Sequence, residues 1–327
     1  MPATRDAASG RAAHGPADGR PSMHEGQLTM SAPTVRALIA EQFPHWAGFD
    51  VTEVRSAATV NALFRIGDGL VARFPVQGAD PAAITAHLAK EWAAADEIAG
   101  ASPFPTPVPV ALGMPGTGYP LPWTVQTWLP GTVATPTSHA GSRPFAEDLA
   151  DLIRGLRAAP THGRRFAGDN RGGDLARHDR WVADCLDRST GLLDVAAIAA
   201  LWARMRRLPR AASDVMSHGD LTPFNLLTQD DRLAGVLDVG GFGPADPSLD
   251  LVCAWHLLDE GPRELLRARL GCDELEWQRG RAWALEQALG LVWYYRETNP
   301  AMSELGVISL HRILAGGSGD VGDARPG

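Results

Sequence analysis

The chain has 327 residues, 45% of them hydrophobic and 21% charged, more than one typical domain needs and enough apolar material for two cores. A net charge of −8 argues against a nucleic-acid-binding or anionic-membrane surface and favours cationic partners. The three cysteines, Cys185, Cys253 and Cys272, lack metal-type spacing and read as reduced residues of a cytoplasmic protein. No apolar run reaches the roughly 20 residues of a membrane helix, and the start shows no signal-peptide core.

Residues 1–30 are rich in Ala, Gly, Pro, Arg and Asp and lack periodic hydrophobics, which predicts a disordered leader with Met23 or Met30 as alternative starts. Ser31-Ala32-Pro33 then opens a helix, with Ser31 as cap and Val35, Leu38, Ile39 and Phe43 on one face. Residues 51–55, 61–66 and 70–74 read as strands, the last two joined across Gly67-Asp68-Gly69. A helix follows at 82–99, then strands at 108–112 and 123–129 before Pro130-Gly131. Five strands and one intervening helix predict a small lobe over 31–129. From Pro144 onward helices dominate, at about 144–158, 174–189, 194–208, 248–258, 262–270, 273–297 and 302–314, and make a larger lobe of 130–315. Residues 316–327 read as a flexible tail.

The chemistry concentrates between residues 217 and 251. Ser217-His218-Gly219-Asp220-Leu221-Thr222-Pro223-Phe224-Asn225 is followed by Val236-Leu237-Asp238-Val239-Gly240 and by Asp246-Pro247-Ser248-Leu249-Asp250-Leu251. A kinase-type catalytic loop places an Asp beside the attacking hydroxyl and an Asn five positions later on a metal ion, and a second Asp, at a strand end, holds metal between the phosphates. Asp220, Asn225 and Asp238 fit those roles in order. Asp238 ends an apolar run, where an unpaired buried carboxylate is costly and a cation relieves the cost. His218 reads as backbone support rather than as a base. Asp246 reads as a helix cap.

With these motifs the chain resembles the aminoglycoside phosphotransferase family. The resemblance covers about residues 31–315, is densest at 218–251, and includes Asn61-Ala62-Leu63-Phe64-Arg65-Ile66-Gly67 and Val125-Gln126-Thr127-Trp128-Leu129-Pro130-Gly131. It implies an α+β, two-lobed protein-kinase-like fold: a small N-terminal antiparallel-sheet lobe and a larger, mainly helical C-terminal lobe. It also implies ATP or GTP as phosphoryl donor with Mg2+, and phosphorylation of a small-molecule hydroxyl. An aminoglycoside-type antibiotic is the leading acceptor, a macrolide or small metabolite the alternative, and a non-catalytic nucleotide-binding pseudokinase the alternative of another class. By the same resemblance Asp250 supports the catalytic-loop backbone, and Gln126 and Trp128 lie in the interlobe segment that meets the purine.

On the nucleotide side the sequence departs from the family pattern. Lys90, the only lysine, falls inside a helix, so Arg73 takes the place of the third-strand lysine with Glu91 as its partner; the guanidinium keeps its charge but differs in reach. The phosphate-covering turn, residues 56–60, has no glycine, leaving backbone amides and the Ser56 and Thr59 hydroxyls to meet phosphate.

Overall fold

Ser31 starts the first helix, α1 (Ala32–Gln42), its hydroxyl accepting the Thr34 amide at 3.3 Å and so satisfying one of the amides that a helix start leaves free. The structure is a computed structural model and describes residues 28–54, 61–78, 80–168, 170–210 and 212–315. Three residues of the expected leader belong to the fold. The Leu28 amide donates to the Val76 carbonyl at 2.8 Å, and Leu28 and Met30 pack on the core of the small lobe, because both are apolar and adjoin the sheet.

That sheet comprises β1 (Val51–Val54), β2 (Asn61–Ile66), β3 (Leu70–Pro75), β4 (Pro109–Gly113) and β5 (Trp123–Thr127). Its order is β1-β2-β3-β5-β4, with antiparallel neighbours throughout. Between β3 and β4 runs α2 (Pro81–Ala101), capped by the Asp80 carboxylate on the Ala82 amide. Phe64, Phe74 and Trp123 fill the core, with Phe74 and Trp123 stacked at 4.7 Å between ring centroids. Gly113 is where this packing needs a missing side chain: a Cβ there would lie 2.1 Å from the Trp123 ring.

The larger lobe begins with β6 (Thr132–Val133) and α3 (Arg143–Ala158), then α4 (Asp179–Arg188) and α5 (Val195–Met205). Four short strands follow: β7 (Val215–Ser217), β8 (Leu226–Gln229), β9 (Arg232–Val236) and β10 (Gly243–Ala245). β7 pairs with β10, and β6-β8-β9 form a second small sheet. Helices α6 (Val252–Leu257), α7 (Glu260–Leu270), α8 (Glu274–Tyr294) and α9 (Pro300–Ala315) complete it. α3 buries Phe145, Leu149, Leu152, Ile153 and Leu156 along one stripe, the spacing that a helix lying on a core requires. α8 is buried on nearly every side, from Trp277 to Val292, and is therefore the central helix. Its polar members Arg279, Glu286 and Gln287 are buried too, and each is used below.

The two lobes carry separate apolar cores, giving the expected two-lobed, kinase-like α+β architecture. All three cysteines are free and buried, and burial pushes the Cys185 and Cys272 thiols up to about 11. No helix among the described residues is long and apolar enough to cross a membrane.

Candidate active site

The segment after β7 is held from behind. Asp250, 2% exposed, accepts the His218 amide on one oxygen and the Gly219 amide on the other, each at 2.9 Å. Gly219 has φ +83°, a conformation that glycine adopts without strain. The Asp220 amide donates to His218 Nδ1 at 3.3 Å, and Nε2 lies 2.8 Å from the Leu237 carbonyl. One ring nitrogen therefore accepts and the other donates, which describes a neutral imidazole bracing two backbone segments rather than a free base.

Asp220 projects from this braced loop with its side chain 40% exposed. Asn225 Nδ2 donates to Asp220 Oδ2 at 3.0 Å and to the Asp220 carbonyl at 2.9 Å. The Leu237 amide in turn donates to the Asn225 carbonyl at 2.7 Å, continuing the β8–β9 pairing in which Leu226 faces Val236. The hairpin thus sets Asn225 beside the approach to Asp238.

Asp238 differs from its sequence-based description. Its side chain is 52% exposed, so there is no buried carboxylate for a cation to rescue. The apolar run does bury Val236, but Asp238 has left-handed backbone, φ 54° and ψ 48°, which turns the chain out of β9 and presents the carboxylate at the cleft. Asp238 Oδ1 lies 3.5 Å from Arg73 Nη2, and Arg73 Nη1 lies 3.4 Å from Glu91 Oε2. Arg73 therefore joins the small lobe's sheet, α2 and the Asp238 loop. Glu91 is also 3.1 Å from His87 Nε2. Two residues beyond Asp238, a Cβ on Gly240 would lie 2.7 Å from Glu91 Cγ, so α2 rests directly on this loop.

Ser56 and Thr59 lie outside the described residues. Gln126 is within β5, paired to Val71 and Pro109. The Thr127 amide donates to the Val108 carbonyl and the Trp128 amide to the Gly69 carbonyl, while the Arg65 guanidinium lies 5.1 Å from the centre of the Trp128 ring. With its amide engaged, Trp128 retains its carbonyl and its indole N–H for a nucleotide contact.

The central helix supplies groups that the motif reading missed. Gln287 Nε2 donates a short hydrogen bond to Asp220 Oδ1. Arg171 Nη2 stands 3.6 Å from the same oxygen, and Arg171 Nη1 stands 3.7 Å from Glu286 Oε2. Glu286 Oε1 is 2.8 Å from His178 Nδ1. Asp246 caps as expected, accepting the Ser248 amide at 3.0 Å, but it also binds Arg279, whose Nε lies 2.8 Å away. Arg279, 1% exposed, further donates to the Leu208 and Gly173 carbonyls. No local pattern marks these residues: on a helix buried all round, polar positions look like ordinary core breaks until the loops above it are placed.

The array combines an accessible carboxylate held by amide donors, a second exposed carboxylate, a carboxamide and a guanidinium. Such a set can accept a proton from a hydroxyl and bind phosphate. Because Asn225 Nδ2 is taken by Asp220, its Oδ1 is the atom left for a hard cation, with Asp238 as the charged ligand. Among the described residues no group of three or more His, Cys, Asp and Glu gathers as a metal cage. A single carboxylate and one amide oxygen suit magnesium, which keeps waters and phosphate oxygens in its shell.

The sequence model of the phosphotransferase enzyme family matches residues 50–283. Among curated proteins, the aminoglycoside 3'-phosphotransferase of Salmonella typhimurium is 27% identical over 151 residues, which are 42% of this chain and 53% of that protein. The match thus spans about half the length of that relative. Among solved structures, the GDP and kanamycin complex of APH(2")-IIia aligns over 86% of this chain and 99% of its own with TM-score 0.65 at 19% identity. A macrolide 2'-phosphotransferase of Brachybacterium faecium aligns over 88% and 99% with TM-score 0.56 at 18% identity. At such identities the two structures speak to the fold.

Proposed function

Because the chain belongs to the phosphotransferase enzyme family, we propose that it moves the γ-phosphoryl group of ATP or GTP to a hydroxyl of a small molecule, with an aminoglycoside-type antibiotic as the leading acceptor. The observation that carries this reading is Asp220: an accessible carboxylate on a loop fixed from below by Asp250 and His218, bonded to Asn225 and one hairpin from Asp238. The nucleotide lies between the 31–129 lobe and the 130–315 lobe, its phosphates toward Arg73, which Glu91 orients. Asp220 orients the acceptor hydroxyl and takes its proton as the new bond to phosphorus forms. Asn225 and Asp238 hold Mg2+, which when bound neutralises charge on the phosphate oxygens. Asp250 and His218 keep the Asp220 backbone in place, a positioning role. The aminoglycoside preference is supported by the curated relative and by the exposed carboxylates of Asp220 and Asp238, which favour a cationic acceptor.

The experiment is a turnover screen of the purified protein with ATP and with GTP, each with magnesium, against aminoglycosides, macrolides and hydroxylated metabolites, read by mass spectrometry for one added phosphoryl group. Product from an aminoglycoside supports the full proposal. Product from a macrolide or metabolite alone replaces the acceptor and keeps the chemistry. Nucleotide binding with no product from any acceptor overturns the phosphotransfer reading in favour of a pseudokinase.

A further inference from the structure

The surroundings of Asp220 raise a stereochemical difficulty for a proton acceptor. Oδ2 receives Asn225, and Oδ1 receives Gln287 and faces Arg171 at 3.6 Å. A carboxylate offers about four acceptor directions, so these donors crowd Asp220 without closing it, and an approaching acceptor hydroxyl competes with the weakest of them. Asn225 is tied through its own backbone to Leu237, and Gln287 belongs to the buried face of α8. Arg171 is the most weakly held of the three: its distance is beyond hydrogen-bonding range and its side chain is 33% exposed.

Arg171 also has a second place to go. Glu286 is 3% exposed, yet its Oε2 has no hydrogen-bond partner among the described residues, and it stands 3.7 Å from Arg171 Nη1. A buried carboxylate oxygen without a donor is costly, and a short move of the guanidinium toward it supplies one. The other oxygen is held by His178, which fixes the carboxylate in place. The backbone next to Arg171 is fixed as well, since the Gly172 carbonyl accepts the Asp246 amide at 2.9 Å and the Gly173 carbonyl accepts Arg279. Only the side chain has to move.

We propose that Arg171 is the resting counter-ion of Asp220, displaced onto Glu286 when the acceptor hydroxyl takes its place; this rests on the reading of Asp220 given above. Arg171 is then a positioning residue that sets how tightly an acceptor is held, and Glu286 is its alternative seat. Binding an acceptor costs the contact to Asp220 and tightens the one to Glu286 that already stands at 3.7 Å, so removing Arg171 favours acceptor binding and neutralising Glu286 opposes it.

The test compares wild type with Arg171→Ala, Arg171→Gln, Arg171→Lys, Glu286→Gln and the Arg171→Ala/Glu286→Gln pair. Kanamycin, erythromycin and water serve as acceptors, water being read as basal nucleotide hydrolysis. Arg171→Ala and Arg171→Gln are expected to lower acceptor KM, or raise basal hydrolysis, by about two- to fivefold, the size of a partly exposed ion contact. The gain should appear in KM rather than kcat. Arg171→Lys should lie between them and wild type. Glu286→Gln should raise KM, and the pair should match Arg171→Ala alone, because Glu286 acts only through Arg171. A loss of kcat by more than tenfold at constant KM in Arg171→Ala would assign Arg171 to the transferring phosphoryl group and overturn the inference. So would unchanged kinetics, or an additive pair. Asp220→Asn, run alongside, separates the two levels: if it turns over like wild type, the reading of Asp220 fails, and if it is inactive while the Arg171 variants depart from these outcomes, only the displacement fails.

Discussion

Asp250 and Asp238 are the same residue type in the same loop cluster, yet their surroundings are opposite. Asp250 is 2% exposed and each of its oxygens holds a backbone amide at 2.9 Å. Asp238 is 52% exposed, sits on left-handed backbone, and has a single cation 3.5 Å away. A buried carboxylate whose lone pairs are spent on amides shapes the loop. An exposed one that is loosely paired is free to meet a ligand, and burial and satisfaction, rather than residue identity, separate the two roles. The same division runs through the whole site. The floor, comprising Asp250, His218, Asp246 and Arg279, is buried and fully bonded. The cleft face, with Asp220, Asp238, Arg73 and Arg171, is partly open, and its ion contacts run from 3.4 to 3.7 Å.

Variants of the two groups should therefore fail differently. Asp220→Asn should lower turnover by about 10²–10⁴-fold, the usual size of a general-base contribution, while its urea midpoint stays near wild type. Asp250→Ala should do the reverse of that pattern on stability. It orphans the buried His218 amide and leaves the Gly219 amide only the Ser217 hydroxyl at 3.1 Å, so chemical denaturation should register a loss of roughly 1–3 kcal/mol, the cost of one unsatisfied buried group, with activity falling as a consequence. Equal stability of the two variants would erase the distinction between floor and face. Asp238→Ala should leave folding intact and weaken magnesium-dependent nucleotide binding on the order of a hundredfold, measured by calorimetry with and without the ion; an affinity that does not respond would place the metal elsewhere.

The buried side also predicts an acid weakness. His256, fully buried on α6, is pushed down to about 3, chiefly by desolvation; the Ala284 backbone opposes the shift and the Arg171 and Arg312 charges add to it. Its folded value lies below the unfolded value of about 6.5. The unfolded chain therefore binds the extra proton, and stability is lost as pH falls from about 6.5 toward 3, by up to about 1.4 kcal/mol per pH unit. His256→Leu should flatten that limb in denaturant midpoints taken between pH 7 and 5, and an unchanged slope would mean that other groups govern it. The smallest effect is expected at the interlobe contact. Arg73 and Glu91, part-buried and 3.4 Å apart, should couple by about 0.5–1 kcal/mol in a double-mutant cycle on kcat/KM, and strict additivity would remove the pair from the nucleotide site.

How much of this was legible in the sequence follows the same line. Asp220, Asn225 and Asp238 were visible because they sit within one local segment whose spacing is tied to a loop and a hairpin. The elements of the small lobe were visible because Ser31, Gly67-Asp68-Gly69 and the alternating strands carry their signals locally. Gln287, Glu286 and Arg171 were not, since they meet Asp220 only through tertiary packing of α8 and of a loop without periodic signal. The exposure of Asp238 was misjudged for a related reason: hydrophobic flanks report where a strand is buried, but not the left-handed turn that takes its last residue out of the core.

The contact between Gly240 and Glu91 limits how the molecule can move. With no side chain at Gly240, α2 of the small lobe lies against the loop that follows Asp238, and a single methyl group there would already collide with Glu91. Interiors packed this closely resist compression, so this is a place where the two lobes fit without slack. The spacing between α2 and the loop after Asp238 is thus set by the absence of a side chain at Gly240 as well as by the Arg73 ion contacts, and any larger residue at 240 would have to push the two apart.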